Sequence, residues 1–231
     1  MTVLLIMLPM SMLHVLRVAK AASTTLITMV KNGHNCTNTT TLHWHDMTPN
    51  QLGKKGLRPH SVVVLREPCE RFISAHAFIR QPCSHYRPCG PVPELANLDA
   101  LGWARLLLQN KSLRDAFTVG RGVRITHANS RPFHRVHWEQ SAYVDSDTTS
   151  TICIDKLQSD LQPILDQWAP GCTAEQARHL NMHAHLHNSS GKTLLDTDNS
   201  ISSKPNELCS AVAQLYPDDV ALWRHHCRPT P

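Results

Sequence analysis

A chain of 231 residues, 41% of them hydrophobic and 18% charged, is long enough to bury one sizeable core without help from a metal or disulfides. Its formal net charge of +5 suits an anionic small molecule or a polyanionic substrate. It carries no lysine run of the kind that marks nucleic-acid tails, so no nucleic-acid partner is expected.

The chain opens on a mostly apolar stretch, Thr2 to Leu16, that lacks a basic start and is broken by Pro9. It is too short for a spanning helix, which needs about 20 residues. A truncated signal or anchor is one reading and a chain that starts at its first strand is the other. The expected division is an apolar segment over 1–12 and a single domain over 13–228. Membrane association is expected only through such a short or missing anchor, because no other segment is apolar and long enough to cross.

Leu13 to Val18 reads as the first strand, followed by Ala19, Lys20, Ala21, Ala22, Ser23, Thr24 and Thr25 and then by the apolar Leu26 to Val30. A strand, a small-residue loop with a lysine and hydroxyl residues opening a helix suit an anion. Backbone N–H groups and the helix dipole meet it, and Lys20 adds a point charge. It is not a Walker A loop, because the glycines are missing. A plain strand–helix junction with a solvated lysine is the alternative. Residues 31–41 are polar and read as a surface loop. Leu42 to Met47 follows, with His43 and His45 spaced to share one face of an extended segment. Imidazole is the side chain best suited to take a hydroxyl proton near neutral pH.

Ser61 to Arg80 is the most informative stretch. Val62 to Leu65 is a short β-branched apolar run, as expected of a strand buried on both faces of a parallel sheet. Pro68 interrupts it and biases Glu67 toward an extended conformation. From Glu70 onward, Phe72, Ala75 and Ile79 recur at helical spacing. Arg66 therefore falls at the carboxyl end of a central strand, where α/β folds bind ligands. Ser74 lies one turn into the helix, and an arginine and a serine converging there suit a phosphate. The alternative is an ordinary strand–turn–helix in which Arg66 and Arg71 pair with Glu67 and Glu70.

Beyond it, residues 81–93 form a Cys/Pro-rich loop and Leu95 to Leu113 has helical periodicity. Phe117 to Asp147 is rich in Arg and His. Ile152-Cys153-Ile154 reads as a late strand, Asp155 to Trp168 as an amphipathic helix, and Leu208 to Leu215 with Tyr216 to Trp223 as closing helices. Ser190-Gly191-Lys192-Thr193 mimics the end of a Walker A loop, but Leu186 stands where the first glycine belongs, so it is rejected. His179, His183, His185 and His187, with His225, His226 and Cys227, lack a metal-site frame and read as solvated.

Eight cysteines form a high and even number. Cys83 and Cys89 bracket a loop where a local bridge is easily made, but spacing alone assigns no pairing, and reduced buried cysteines are the alternative. Acceptor tripeptides begin at Asn35, Asn38, Asn110 and Asn188. Together these lean toward a secretory lumen.

Arg66-Glu67-Pro68-x-x-Arg71-x-x-Ser74 after a hydrophobic strand resembles the 3′-phosphate motif of the Golgi carbohydrate sulfotransferases, which take sulfate from 3′-phosphoadenosine-5′-phosphosulfate (PAPS). Lys20-x-x-x-Thr24-Thr25 after strand one resembles their 5′-phosphosulfate loop. His43-x-His45 is similar to the catalytic pair of the uronosyl 2-O-sulfotransferases. Weaker likenesses follow at Gln140, at Asp155-Lys156-Leu157 with Asp160-Leu161, and at Tyr216-x-x-Asp219-x-x-Leu222-Trp223, so the resemblance covers residues 13–227. It implies a three-layer, P-loop-like α/β sulfotransferase fold with a central parallel sheet and helices on both faces. Lys20 and the amides of Ala21, Ala22, Ser23, Thr24 and Thr25 would hold the 5′-phosphosulfate, with Lys20 offsetting charge on the leaving phosphate. Arg66 and Ser74 would hold the 3′-phosphate. His45 would be the base, with His43 a substrate contact or alternative base, and no metal is required. The acceptor would be a glycan or polysaccharide and the location the Golgi lumen or membrane, with the cytoplasm as the alternative. Two other readings are an ATP-dependent phosphotransferase and an inactive, secreted glycan-binding domain on the same scaffold.

Overall fold

The computed structural model describes residues 13–18, 21, 23–43, 48–55, 60–79, 98–118, 139–175 and 205–228. Among them, β1 (Leu13–Val15), β2 (Thr40–Leu42), β3 (Ser61–Leu65) and β4 (Thr149–Cys153) form a parallel sheet in the order β2-β1-β3-β4. The helices are α1 (Ser23–Lys31), α2 (Pro49–Lys54), α3 (Pro68–Ile79), α4 (Ala100–Gln109), α5 (Lys111–Thr118), α6 (Leu157–Trp168), α7 (Pro205–Leu215) and α8 (Pro217–Cys227). The chain is thus of α/β character, as its strand and helix patterns lead one to expect.

All five residues of β3 are buried, which is what a run of β-branched residues without polar alternation requires. The period-2 alternation of the strands then sorts them between two cores. Leu13, Val15, Val62, Val64 and Ile152 pack with Leu26 and Met29 of α1 and Leu157, Leu161 and Leu165 of α6. Leu16, Val63, Leu65 and Cys153 pack with Leu52 of α2, Tyr143 and Cys227 of α8. Both faces of the sheet are therefore covered. A third cluster joins helices alone: Phe72 of α3, Trp103 and Leu107 of α4, and Leu208, Val212 and Leu215 of α7.

Local chemistry moved several boundaries. The first strand ends at Val15 rather than Val18, although Leu16 still donates its N–H to Val62 O at 3.0 Å. The polar loop expected over 31–41 is shorter, because the β-branched Thr40 and Thr41 join β2 beside β1. The third helix starts at Pro68, not Glu70. Proline is preorganised for the first helical position, and the Glu67 carboxylate accepts the Glu70 N–H at 2.7 Å in the manner of a cap. The helical stretch expected over 95–113 breaks at Asn110, whose Oδ1 accepts the Leu113 N–H at 2.9 Å and opens α5.

Among the described residues, three disulfides pair six of the chain's eight cysteines. Cys36–Cys172 joins the loop after α1 to the turn after α6, Cys69–Cys209 joins α3 to α7, and Cys153–Cys227 joins the end of β4 to the end of α8. Reduced cysteines are thereby overturned for these six. Cys83 and Cys89 lie outside the described residues, as do the Walker-like stretch at 190–193 and His179, His183, His185 and His187. Three disulfides indicate folding in an oxidising, secretory or extracellular setting. No helix among the described residues is long and apolar enough to cross a membrane.

Candidate functional site

β1 lies between β2 on one side and β3 on the other, so the chain's winding reverses there. At such a switch point the loops leaving neighbouring strands diverge and open a crevice beyond their carboxyl ends, where open α/β sheets bind ligands. Three sequence motifs converge on that end. β1 runs out through Leu16, Arg17 and Val18 toward α1, β2 runs out into His43, and β3 runs out into Arg66. The backbone keeps these exits together: His43 donates its N–H to Val15 O at 2.9 Å.

Lys20, Ala22 and His45 lie outside the described residues. Ala21 is fully buried among Leu16, Val18 and Leu65, and Thr25 is buried in the first turn of α1. Because α1 begins at Ser23, the amides of Ser23, Thr24 and Thr25 belong to its first turn, where N–H groups have no partner within the helix. Arg17, just past β1, adds a cation that the sequence patterns did not single out; burial pushes its guanidinium below the ordinary value.

Arg66 is only 4% exposed. Its N–H donates to Gln140 Oε1 and its C=O accepts from Gln140 Nε2, both at 2.9 Å, so one buried side-chain amide continues the ladder beyond the end of β3. The guanidinium Nε donates to Glu70 Oε2 at 3.3 Å, and the Glu70 side chain is 56% exposed. Burial pushes Arg66 below its ordinary value while the charge and hydrogen bond of Glu70 pull it back up. Arginine remains a cation under such a shift. Glu70 and Ser74 are four residues apart and so share one line of α3, with Arg66 just ahead of the helix, and Ser74 is buried at 4% exposure.

Arg71 has a different role from Arg66. It donates from Nη2 to Asp219 Oδ2 at 2.9 Å, a partner that the alternative reading did not name, with both side chains buried. Its guanidinium lies 5.3 Å from the centre of the Tyr216 ring, and Asp219 Oδ1 accepts the Ser141 N–H at 2.9 Å. The segment around Gln140 and Ser141 thus braces both the exit of β3 and α8. Its signals in the sequence were Gln140 itself and the Tyr216/Asp219 spacing. Nearby, Glu67 and Pro68 line a groove with Trp223, Arg224 and Arg228.

A further contact was not legible. His14 of β1 is 4% exposed, and its Nδ1 lies 2.5 Å from His43 Nε2, with the two rings 9° from parallel. Burial, and secondarily the proximity of His43, push His14 down from 6.5 to about 4. Cys227 is committed to its disulfide, and no cluster of three metal-ligating side chains occurs among the described residues.

No family model, no curated protein and no solved structure matches this chain.

Proposed function

We propose that the protein is a sulfotransferase of the three-layer, P-loop-like kind, moving a sulfuryl group from PAPS to a hydroxyl of a glycan or polysaccharide in the secretory pathway. The observation that carries the reading is the convergence of its three motifs. The carboxyl ends of three adjacent parallel strands lead, at the point where the winding reverses, through Leu16 to Val18 on the way to α1, into His43 and into Arg66. The buried Arg66 fits an anionic partner, because a second anion against a desolvated guanidinium offsets part of the burial cost that Glu70 offsets now.

In this reading Arg66 and Ser74 hold the 3′-phosphate, and the first-turn amides of α1 with Lys20 hold the 5′-phosphosulfate. Bound PAPS supplies the sulfuryl group and a stable leaving group. The acceptor oxygen attacks sulfur in line as the bond from sulfur to the 5′-phosphate oxygen breaks. Lys20 balances the charge that collects on that oxygen. The hydroxyl proton passes to an imidazole of the His43/His45 pair, which the resemblance assigns to His45. Two arginines in the groove beside Glu67 suit an acidic acceptor.

A thermal melt with 3′,5′-adenosine bisphosphate (PAP), against AMP and ATP, tests the cofactor assignment. A ligand bound only by the native state at 100 times its Kd adds about 2.7 kcal/mol, which raises Tm measurably. PAP alone should stabilise, and Arg66→Ala should weaken PAP binding about ten- to a hundredfold, the effect of losing a charged hydrogen-bond donor. A response to ATP but not PAP would turn the assignment to a phosphotransferase. Binding of PAP without turnover on any glycan would leave a glycan-binding scaffold.

A further inference from the structure

His14 Nδ1 and His43 Nε2 are 2.5 Å apart in nearly parallel rings. Two N–H groups facing each other at that distance would collide, and two lone pairs would repel, so a single proton lies between them. It belongs either to His14 Nδ1 or to His43 Nε2. The surroundings of the two rings differ. His14 sits inside β1 with almost no exposure, whereas His43 lies past the end of β2, half-buried and anchored by its own N–H to Val15 O. Of the two, the His43 ring is the one that can carry a positive charge without full desolvation.

The geometry points to a histidine–histidine dyad in which His43 Nε2–H donates to His14 Nδ1, leaving the His43 Nδ1 lone pair as the base of the transfer and His14 as its positioning residue. The inference rests on the sulfuryl-transfer reading and assigns the base to His43 rather than His45. As the acceptor oxygen bonds to sulfur and the 5′-phosphate oxygen departs, the hydroxyl proton goes to His43 Nδ1. The Nε2 proton stays on His43, still held by His14. His14 thus plays the part that a carboxylate plays in a Ser-His-Asp triad, fixing tautomer and ring orientation. A neutral imidazole adds no negative charge, so it orients His43 without driving it into the protonated form that could not act as a base. The depressed value of His14 agrees with a ring that stays neutral throughout.

The test is the nitrogen-15 NMR spectrum of the histidine rings in the whole, disulfide-bonded protein at neutral pH, assigned by difference with His14→Leu and His43→Ala. The expected result is His43 with its proton on Nε2 in the wild type and a mixture of tautomers in His14→Leu. A His43 ring protonated on Nδ1 in the wild type would overturn the dyad, whether or not the protein transfers sulfate. In the transfer assay, His14→Leu should lower kcat roughly a hundredfold, within the range of a general base. Its KM for PAPS should stay unchanged, and His14→Asn, which keeps an acceptor, should recover much of the loss. An unchanged kcat in a folded His14→Leu protein would also overturn it. If the leucine variant does not fold, the wild-type spectrum and the asparagine variant decide. A confirmed tautomer in a protein without transfer to any acceptor would sink the sulfuryl-transfer reading and, with it, the role of His43 as base.

Discussion

Arg66 and Arg71 stand five residues apart with identical chemistry and opposite duties. Arg66 has its backbone clamped by Gln140 and its guanidinium against the half-exposed Glu70 carboxylate. Arg71 is spent on Asp219. At the same scale, His14 makes the stability of the protein depend on pH. Its folded value of about 4 lies below the ordinary 6.5, so the unfolded chain takes up a proton there more readily than the folded one. The contribution is intact above about pH 6.5 and is lost as pH falls toward 4, by up to about 3 kcal/mol. Urea unfolding measured across that window should show stability falling with pH, and His14→Leu should flatten part of the fall. The same slope in wild type and variant would show that His14 is not the responsible group.

At the scale of elements, α3 is held at its amino end in two ways. Pro68 and the Glu67 carboxylate start it, and the Arg71–Asp219 pair fastens its first turns to α8 across 148 positions of sequence. Removing one partner of a buried ion pair leaves the other charge uncompensated. Arg71→Ala should therefore cost about 3–5 kcal/mol, whereas Arg66→Ala should cost distinctly less stability while weakening PAP binding about ten- to a hundredfold. Denaturant titration of the two variants checks the contrast, and equal losses would refute the division of labour. The loop after α1 shows the same dependence on distant chain. A Cβ at Gly33 would fall 2.4 Å from Thr173 O, so only glycine lets that loop approach the segment after α6 and close the Cys36–Cys172 bond.

For the whole molecule, the disulfides tie the helical layers to the sheet and to one another. Two of them span 136 and 140 residues and one spans 74. Closing loops of that length removes chain entropy from the unfolded state worth on the order of 4–5 kcal/mol each. Reduction under native conditions should lower Tm by more than ten degrees, read by calorimetry with and without a thiol. A Tm insensitive to reduction would mean that the pairs are not formed in the folded protein.

What the sequence settled by itself was local: the buried β-branched run of β3, the turn at Pro68, the helix beyond it, and the position of Arg66 at a strand's end. These follow from periodicity and backbone restriction, which act over a few residues. The split at Asn110 was also local, yet the helical periodicity on both sides of it masked the cap. Tertiary structure alone decided the strand order that places three motifs at one switch point, the partner of Arg71, the cysteine pairing and the contact of His14 with His43. Each is a choice among many distant partners of equal chemistry. Sixteen histidines and eight cysteines offer no local preference; for His14 and His43 the parallel register of β1 against β2 makes the choice, by setting which side chains share a face.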